Sequence, residues 1–231
     1  MAEVRPTPEA NFPPDSEQSV SLLLLGDPGC GKSTFLARLK NGGSSLSPQP
    51  GSRPNAIVPL RDEDQPFVYD IRFSKKKFTL ELNDTANPNQ HWSSLKPDVV
   101  VLAYDISNRT TLDGLKAVSS HVKFPQVPKL TTSLSYQWRN DITRYFQYGH
   151  GERLPVMMLG LKRDLRREGE GIIYPQEGYR IAQELRCDRY AECSAVTGEL
   201  FGETFEDLAR LAAMTTTEEG GQTAGTSCII L

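Results

Sequence analysis

Apolar positions along the 231-residue chain fall into short runs separated by turn residues, and the period of each run predicts its element. Val20–Leu25 is apolar except for Ser21 and stops at Gly26, the pattern of a buried strand closed by a turn. Phe67–Phe73 (FVYDIRF) and Phe78–Leu82 alternate apolar with polar, and Ser74–Lys77 between them predicts a hairpin turn. Val99–Tyr104 and Val156–Leu159 are unbroken apolar runs, as in strands covered on both faces. Tyr190–Cys193 is a short further candidate. Helical spacing occurs over Ser33–Lys40, Trp138–Tyr148, Pro175–Arg186 and Leu200–Met214, and Pro175 suits a first helical turn. Strands alternating with helices predict an α/β fold: a six-stranded, mostly parallel sheet flanked by helices, with the hairpin as its antiparallel pair.

The ends are different. Residues 1–19 carry four prolines, four acids and few large apolar groups, so they are expected to form a disordered N-terminal tail. Residues 215–231 begin with a run lacking Lys and Arg and read as a flexible C-terminal tail. The 20–214 stretch between them is expected to be a single domain. Within it, residues 41–66 form a long Gly/Pro/Ser-rich connection, and about 119–134 reads as an insertion, with prolines at 125 and 128. Composition adds exclusions. With 38% hydrophobic and 24% charged residues, the chain has an ordinary globular make-up. A net charge of −3 argues against broad electrostatic binding to nucleic acid. No apolar run approaches the roughly 20 residues a bilayer span requires, and no secretory signal is visible. Cysteines at 30, 187, 193 and 228 lack metal spacing, as do His91, His121 and His150; a reduced compartment is expected.

One motif carries chemistry. Gly26-Asp27-Pro28-Gly29-Cys30-Gly31-Lys32-Ser33, followed by Thr34, is G-x-x-x-x-G-K-S set between an apolar strand and a helical pattern. Its glycines let successive N–H groups converge on phosphate oxygens, and the adjoining helix adds its positive N-terminal end. Lys32 is expected on the β- and γ-phosphates, and the Ser33 hydroxyl on Mg²⁺.

Together with segments further along the chain, the motif resembles the phosphate loop of the Ras superfamily of small GTPases, and the Rho family in particular. Asp84-Thr85-Ala86 is similar to the D-T-A of that family's D-T-A-G magnesium motif. Val101–Asp105 and Ser107…Leu112 resemble its fourth strand and the turn after it, and Tyr136–Phe146 its tryptophan-bearing third helix. Leu159–Leu165 (LGLKRDL) matches the guanine motif in part, and Tyr174–Ala195 contains P-x-E-G and Y-x-E-C-S-A. The chain ends Cys228-Ile229-Ile230-Leu231, a C-a-a-X box. The resemblance covers about residues 20–214 and the last four. It implies a P-loop NTPase fold of the Ras-like kind that binds GTP or GDP with Mg²⁺. Asp164 would accept from the guanine N1–H and amine, the Lys162 stem would cover the base, and Ser194-Ala195 would bring an amide to the guanine oxygen. Asp84 would hold Mg²⁺ through a water, and Asn87 would face the γ-phosphate.

Departures from the family pattern change the expected mechanism. Pro28 stands at a glycine position, removing an N–H and adding bulk near the γ-phosphate. Asn87-Pro88 replaces Gly-Gln, so the water-orienting glutamine is missing, and Gln90 is the candidate catalytic substitute. Residues 41–66 contain no threonine to close on Mg²⁺; Leu60 or Asp62 falls near that place. Leu161 replaces the asparagine that ties the guanine motif to the phosphate loop, and Val196 replaces a lysine. The Rho family's extra helix before P-x-E-G is absent from the pattern. The expected protein is a GTP hydrolase of slow turnover in membrane-associated signalling; the alternative is a pseudo-GTPase scaffold whose partner binding ignores the nucleotide. A P-loop kinase or ATPase fits the D-T-A and S-A motifs less well. The resemblance further implies an exchange factor, effectors, a GTPase-activating protein and a lipid-shielding chaperone as partners. Terminal leucine favours geranylgeranyl addition at Cys228. With no polybasic run beside it, one lipid implies weak, reversible attachment to the cytoplasmic face of a membrane.

Overall fold

The computed structural model describes residues 18–41, 57, 60, 65–73, 76–85, 95–116, 142, 154–169 and 171–215. Six strands form one sheet: β1 (Gln18–Leu25), β2 (Phe67–Phe73), β3 (Lys76–Thr85), β4 (Val99–Asp105), β5 (Val156–Leu161) and β6 (Arg189–Glu192). Their order is β2-β3-β1-β4-β5-β6, with only β2 and β3 antiparallel. Helices α1 (Lys32–Asn41), α2 (Arg109–Lys116), α3 (Pro175–Glu184) and α4 (Phe201–Thr215) complete the described elements, with a 3₁₀ turn at Arg163–Leu165.

The unbroken apolar strands are explained by burial on both faces. All seven residues of β4 are buried. Val99, Val101 and Ala103 join one core with Leu22, Leu24 and Phe35, while Val100, Leu102 and Tyr104 join the other. The first core is closed by α1 and α4 through Phe35 and Phe201, whose ring centroids lie 5.1 Å apart. The second is closed by Leu112 and Leu115 of α2 and Ile181 and Ala182 of α3.

Several boundaries differ from the sequence expectation. β1 starts at Gln18, so Gln18 and Ser19 belong to the sheet and not to a tail: both pair in register with β3, opposite Phe78 and Thr79. β3 runs from Lys76 to Thr85, and pairing continues to Phe73–Lys76, so the hairpin turn is tighter than Ser74–Lys77. α4 extends through Thr215, one residue into the expected C-terminal tail. α2 is a whole helix where the pattern predicts only a turn, because its eight residues include three hydroxyl or glycine positions of poor helix propensity. Tertiary ties hold it. The Arg109 guanidinium forms a two-pronged pair with Glu177 of α3 at 2.7 and 2.9 Å and also donates to the Ile172 carbonyl. Of the predicted Trp138–Tyr148 helix, Ile142 is described: it is helical and buried in the second core. The 119–134 insertion and the rest of both expected tails lie outside the described residues.

Register sets the functional edge. Leu25 pairs with Thr85 on one side and Leu102 on the other, and Asp105 pairs with Leu161. The carboxyl ends of β1, β3, β4 and β5 therefore meet along one edge, with the chain crossing from β3 past β1 to β4. Ligands of open α/β sheets bind outside such an edge, where the strand order reverses.

Candidate functional site

The loop between β1 and α1 is shaped by backbone that only glycine adopts without strain. Gly26 has φ +153°, and a Cβ there would stand 2.2 Å from the Ala103 carbonyl oxygen of β4. Gly31 has φ +111° and lies against Leu161 and the Lys162 stem. Pro28 is accommodated rather than strained. It occupies the second position of a turn whose third, Gly29, has φ +77°, closed by Cys30 N–H donating to the Asp27 carbonyl at 3.3 Å. Proline then positive-φ glycine is the type II arrangement. Pro28 and Gly29 are exposed, Asp27 is half-buried, and Asp27 lies against Gly114 of α2. Cys30 is buried beneath the loop, and burial pushes its thiol up.

Lys32 opens α1 and is 4% exposed. Its ammonium folds back onto the Gly26 and Asp27 carbonyls at 2.8 and 3.2 Å. Asp84 of β3 stands beside it, 3.8 Å from the ammonium, and accepts from the Ser33 hydroxyl at 2.8 Å. Gln65 secures the same strand end by accepting the Asp84 N–H at 3.0 Å. A hydroxyl and a carboxylate in contact at a helix N-terminus are hard oxygen donors, the set Mg²⁺ takes together with phosphate and water. The residues present fit that ion. Thr34 is half-buried in the first turn behind Ser33.

The second half of the site lies at the ends of β5 and β6. Lys162 follows β5 in a left-handed conformation, φ +61°. Its ammonium pairs with Asp105 at the end of β4, 2.7 Å away. Asp105 is buried; its carboxylate also accepts from Ser107 N–H and hydroxyl at 2.8 and 2.6 Å. Asp164 accepts from the Ser194 hydroxyl at 2.5 Å, which joins the β5 and β6 loops. Ala195 is buried in the turn after Ser194. Leu161, which replaces a polar tie in the sequence pattern, is 1% exposed and packs its side chain against Gly31, so the two loops meet through van der Waals contact. Leu60, near the expected first-switch position, is half-buried against the first core.

Beneath these loops runs a polar chain that is buried at Tyr104 and Glu192 and reaches the surface at Glu199. Tyr104 Oη and Tyr190 Oη are 3.0 Å apart, and Tyr190 donates on to Glu192. Glu192 also accepts from Arg166 at 2.6 Å and Arg163 at 2.9 Å, and Arg163 reaches Glu199 at 2.7 Å. Burial and the neighbouring acid push both tyrosine hydroxyls well above their ordinary range. The P-x-E-G stretch acquires a physical reason here. Glu177 grips Arg109, and Gly178 leaves room for the tyrosine pair, because a Cβ there would stand 2.1 Å from Tyr190 Oη.

The structure thus brings together Gly26 to Thr34, Asp84, Lys162, Asp164, Ser194 and Ala195. Asn87, Gln90, Asp62 and Cys228 lie outside the described residues. Sequence patterns do not single out Asp105, although a charge ending a fully buried apolar run is a usable signal. Nor do they single out Gln65 and Arg38, whose partners are remote in sequence. Among the described residues no cluster of three or more His, Cys, Asp or Glu could hold a metal by itself, and no helix is long and apolar enough to cross a membrane.

The model of the Ras family matches residues 21–214. The chain belongs to the Ras family. Within it, this Ras-family chain is a divergent, Rho-like member. It is 27% identical to the Ras-like GTP-binding protein RHO1 of Entamoeba histolytica, covering 83% of this chain and 75% of that protein. It is 25% identical to the GTP-binding protein RHO2 of Saccharomyces cerevisiae, over 94% of this chain and all of that protein. It is 22% identical to the human Rho-related GTP-binding protein RhoF, over 95% and 94%.

Proposed function

We propose that this Ras-family chain binds GTP and GDP with Mg²⁺, turns GTP over slowly, and works as a membrane-attached signalling protein. The observation that carries the reading is the convergence on one sheet edge of a glycine-shaped phosphate loop, the Ser33–Asp84 oxygen pair and the Asp164–Ser194 pair. The loop N–H groups and the α1 N-terminus receive the phosphates, and Lys32 neutralises their charge. Ser33 and Asp84 would hold Mg²⁺, which supplies charge neutralisation at the phosphates when bound. Asp164, acceptor only, takes the N1–H and amine of guanine, whereas the 6-amino purine edge offers the opposite pattern.

Slow turnover is expected from the residues near the γ-phosphate. Asn87-Pro88 offers no water-orienting glutamine, and Pro28 occupies the turn next to which an approaching arginine would need room. Gln90 is the candidate substitute. Membership of the family implies exchange factors and effectors. A geranylgeranyl group on Cys228, shielded by a lipid-binding chaperone when off the membrane, supplies the attachment, supported by the Cys-Ile-Ile-Leu ending. Leu161 in place of a polar tie favours a second reading, a scaffold indifferent to nucleotide. Denaturing the purified protein and separating released nucleotide by anion exchange tests both. The expected result is stoichiometric GTP, with single-turnover hydrolysis at or below about 10⁻⁴ s⁻¹. A folded but empty protein overturns the proposal in favour of the scaffold, and ATP in the extract overturns both.

A further inference from the structure

Arg38 lies on α1, and no sequence pattern assigns it a role. Its Nη1 crosses to the turn after β6 and donates to the Ala195 and Val196 carbonyls at 2.8 and 3.1 Å. Its guanidinium carbon sits 5.3 Å from the centre of the Phe201 ring, which is wholly buried against Phe35. An aromatic face along one side and two carbonyls at the tip leave the side chain little rotational freedom.

The turn it grips is fixed from the other side as well. Gly198 N–H donates to the Ser194 carbonyl at 2.9 Å, and Ser194 N–H donates to the Glu199 carbonyl at 3.0 Å. In a trans peptide the N–H and C=O point in opposite directions. The Ser194 carbonyl is committed inside the turn, so the Ala195 N–H of the same peptide faces out of it. Of the next two peptide planes, the second is also tied by Thr197 N–H donating to the Ser194 hydroxyl at 3.0 Å; the first, which shares Ala195 with that N–H, is held at its carbonyl by Arg38. A donor aimed in advance loses no orientational freedom on binding.

We infer that Arg38 is a positioning residue for base specificity, holding the Ala195 N–H ready for the 6-oxo group of a purine nucleotide. The inference rests on the guanine-nucleotide reading above and deepens it: Asp164 reads the N1 and 2-amino positions, and the Arg38-braced turn reads position 6. A purine lacking a 6-substituent gives the turn nothing to hold, so Arg38 contributes nothing to its affinity.

The test compares GDP with 2-aminopurine ribonucleoside 5′-diphosphate, which keeps the phosphates and 2-amino group but lacks the 6-oxygen and with it the N1–H, a second loss that is common to all three proteins and cancels in each variant-to-wild-type ratio. Each displaces a fluorescent methylanthraniloyl-GDP probe from wild-type full-length protein, Arg38→Met and Arg38→Lys. Methionine keeps an apolar stem on Phe201 and removes the donors; lysine restores one. The expected result is about a tenfold loss of GDP affinity in Arg38→Met, partial recovery in Arg38→Lys, and less than a twofold change for the 2-aminopurine nucleotide in both. Equal losses for the two nucleotides make Arg38 a general structural residue and overturn the inference, as does no loss with either. Should Arg38→Met fail to fold, Arg38→Lys alone decides, by whether its loss is confined to GDP. Wild-type protein that binds no probe sinks the guanine reading itself, a failure visible before any variant is compared.

Discussion

The two ends of the site are built by different physics. At the phosphate end, shape comes from the backbone: three positive-φ glycines, a proline-glycine turn and a lysine folded onto its own loop within six residues. At the base end, shape comes from side chains reaching across the chain: Lys162 to Asp105, Arg166 and Arg163 to Glu192, Asp164 to Ser194, and Arg38 to Ala195 over 157 positions. A backbone-shaped site tolerates loss of side chains but not the addition of a Cβ. A side-chain-braced site has the opposite weakness, since removing one member leaves its charged partners buried and unmatched.

The largest break in this contrast is expected from Gly26→Ala. Its Cβ would collide with the Ala103 carbonyl at 2.2 Å on a backbone L residues avoid, and we expect a loss of about 4 kcal/mol in denaturant unfolding, from overpacking and strain together. A variant within about 1 kcal/mol of wild type would mean that the loop is not held by close approach to β4. Glu192→Ala should follow at about 3 kcal/mol, because Arg166, 14% exposed, loses its carboxylate. Equal stability there would show that the arginines find other partners. Lys32→Met sharpens the comparison from the phosphate side. GDP affinity should drop on the order of a hundredfold as a charged phosphate contact goes. The melting temperature of nucleotide-free protein should change by less than about 4 °C, since the loop's backbone is intact. A large drop in melting temperature would show that Lys32 braces the fold itself.

The smallest effect is a pH dependence. Burial raises the Cys193 thiol from its ordinary value near 9 to about 12. The unfolded chain therefore releases this proton first, and stability that is complete below about pH 9 falls as pH rises from there, by at most about 1.4 kcal/mol per unit from this group. The curve for Cys193→Ala between pH 9 and 10 should be flatter than that of wild type. Identical slopes would mean that this thiol ionises equally in the folded protein.

Local features of the site are legible in the sequence. The G-x-x-x-x-G-K-S spacing locates the glycine loop between β1 and α1 because every requirement, curl, charge and helix start, is met within eight consecutive residues. β2 and the start of α3 at Pro175 lie where periodicity and proline place them. α2 is not legible, since its helix propensity is poor and its support, Glu177, is 68 positions from Arg109. Nor is Arg38, an ordinary-looking helix residue until the turn after β6 is folded against it.

By itself, then, the sequence determined the α/β alternation, the doubly covered strands and the glycine loop between β1 and α1, all of which depend on neighbours or on a period of two or 3.6. The tertiary structure decided the rest: that Gly26 abuts β4, that Asp105 holds Lys162, that Gly178 makes room for paired tyrosine hydroxyls, and that Arg38 braces the turn at Ala195. The reason is physical. Those interactions join strand ends, helices and turns far apart in the chain, and which of them come together is fixed by sheet order and register, quantities that no single segment encodes.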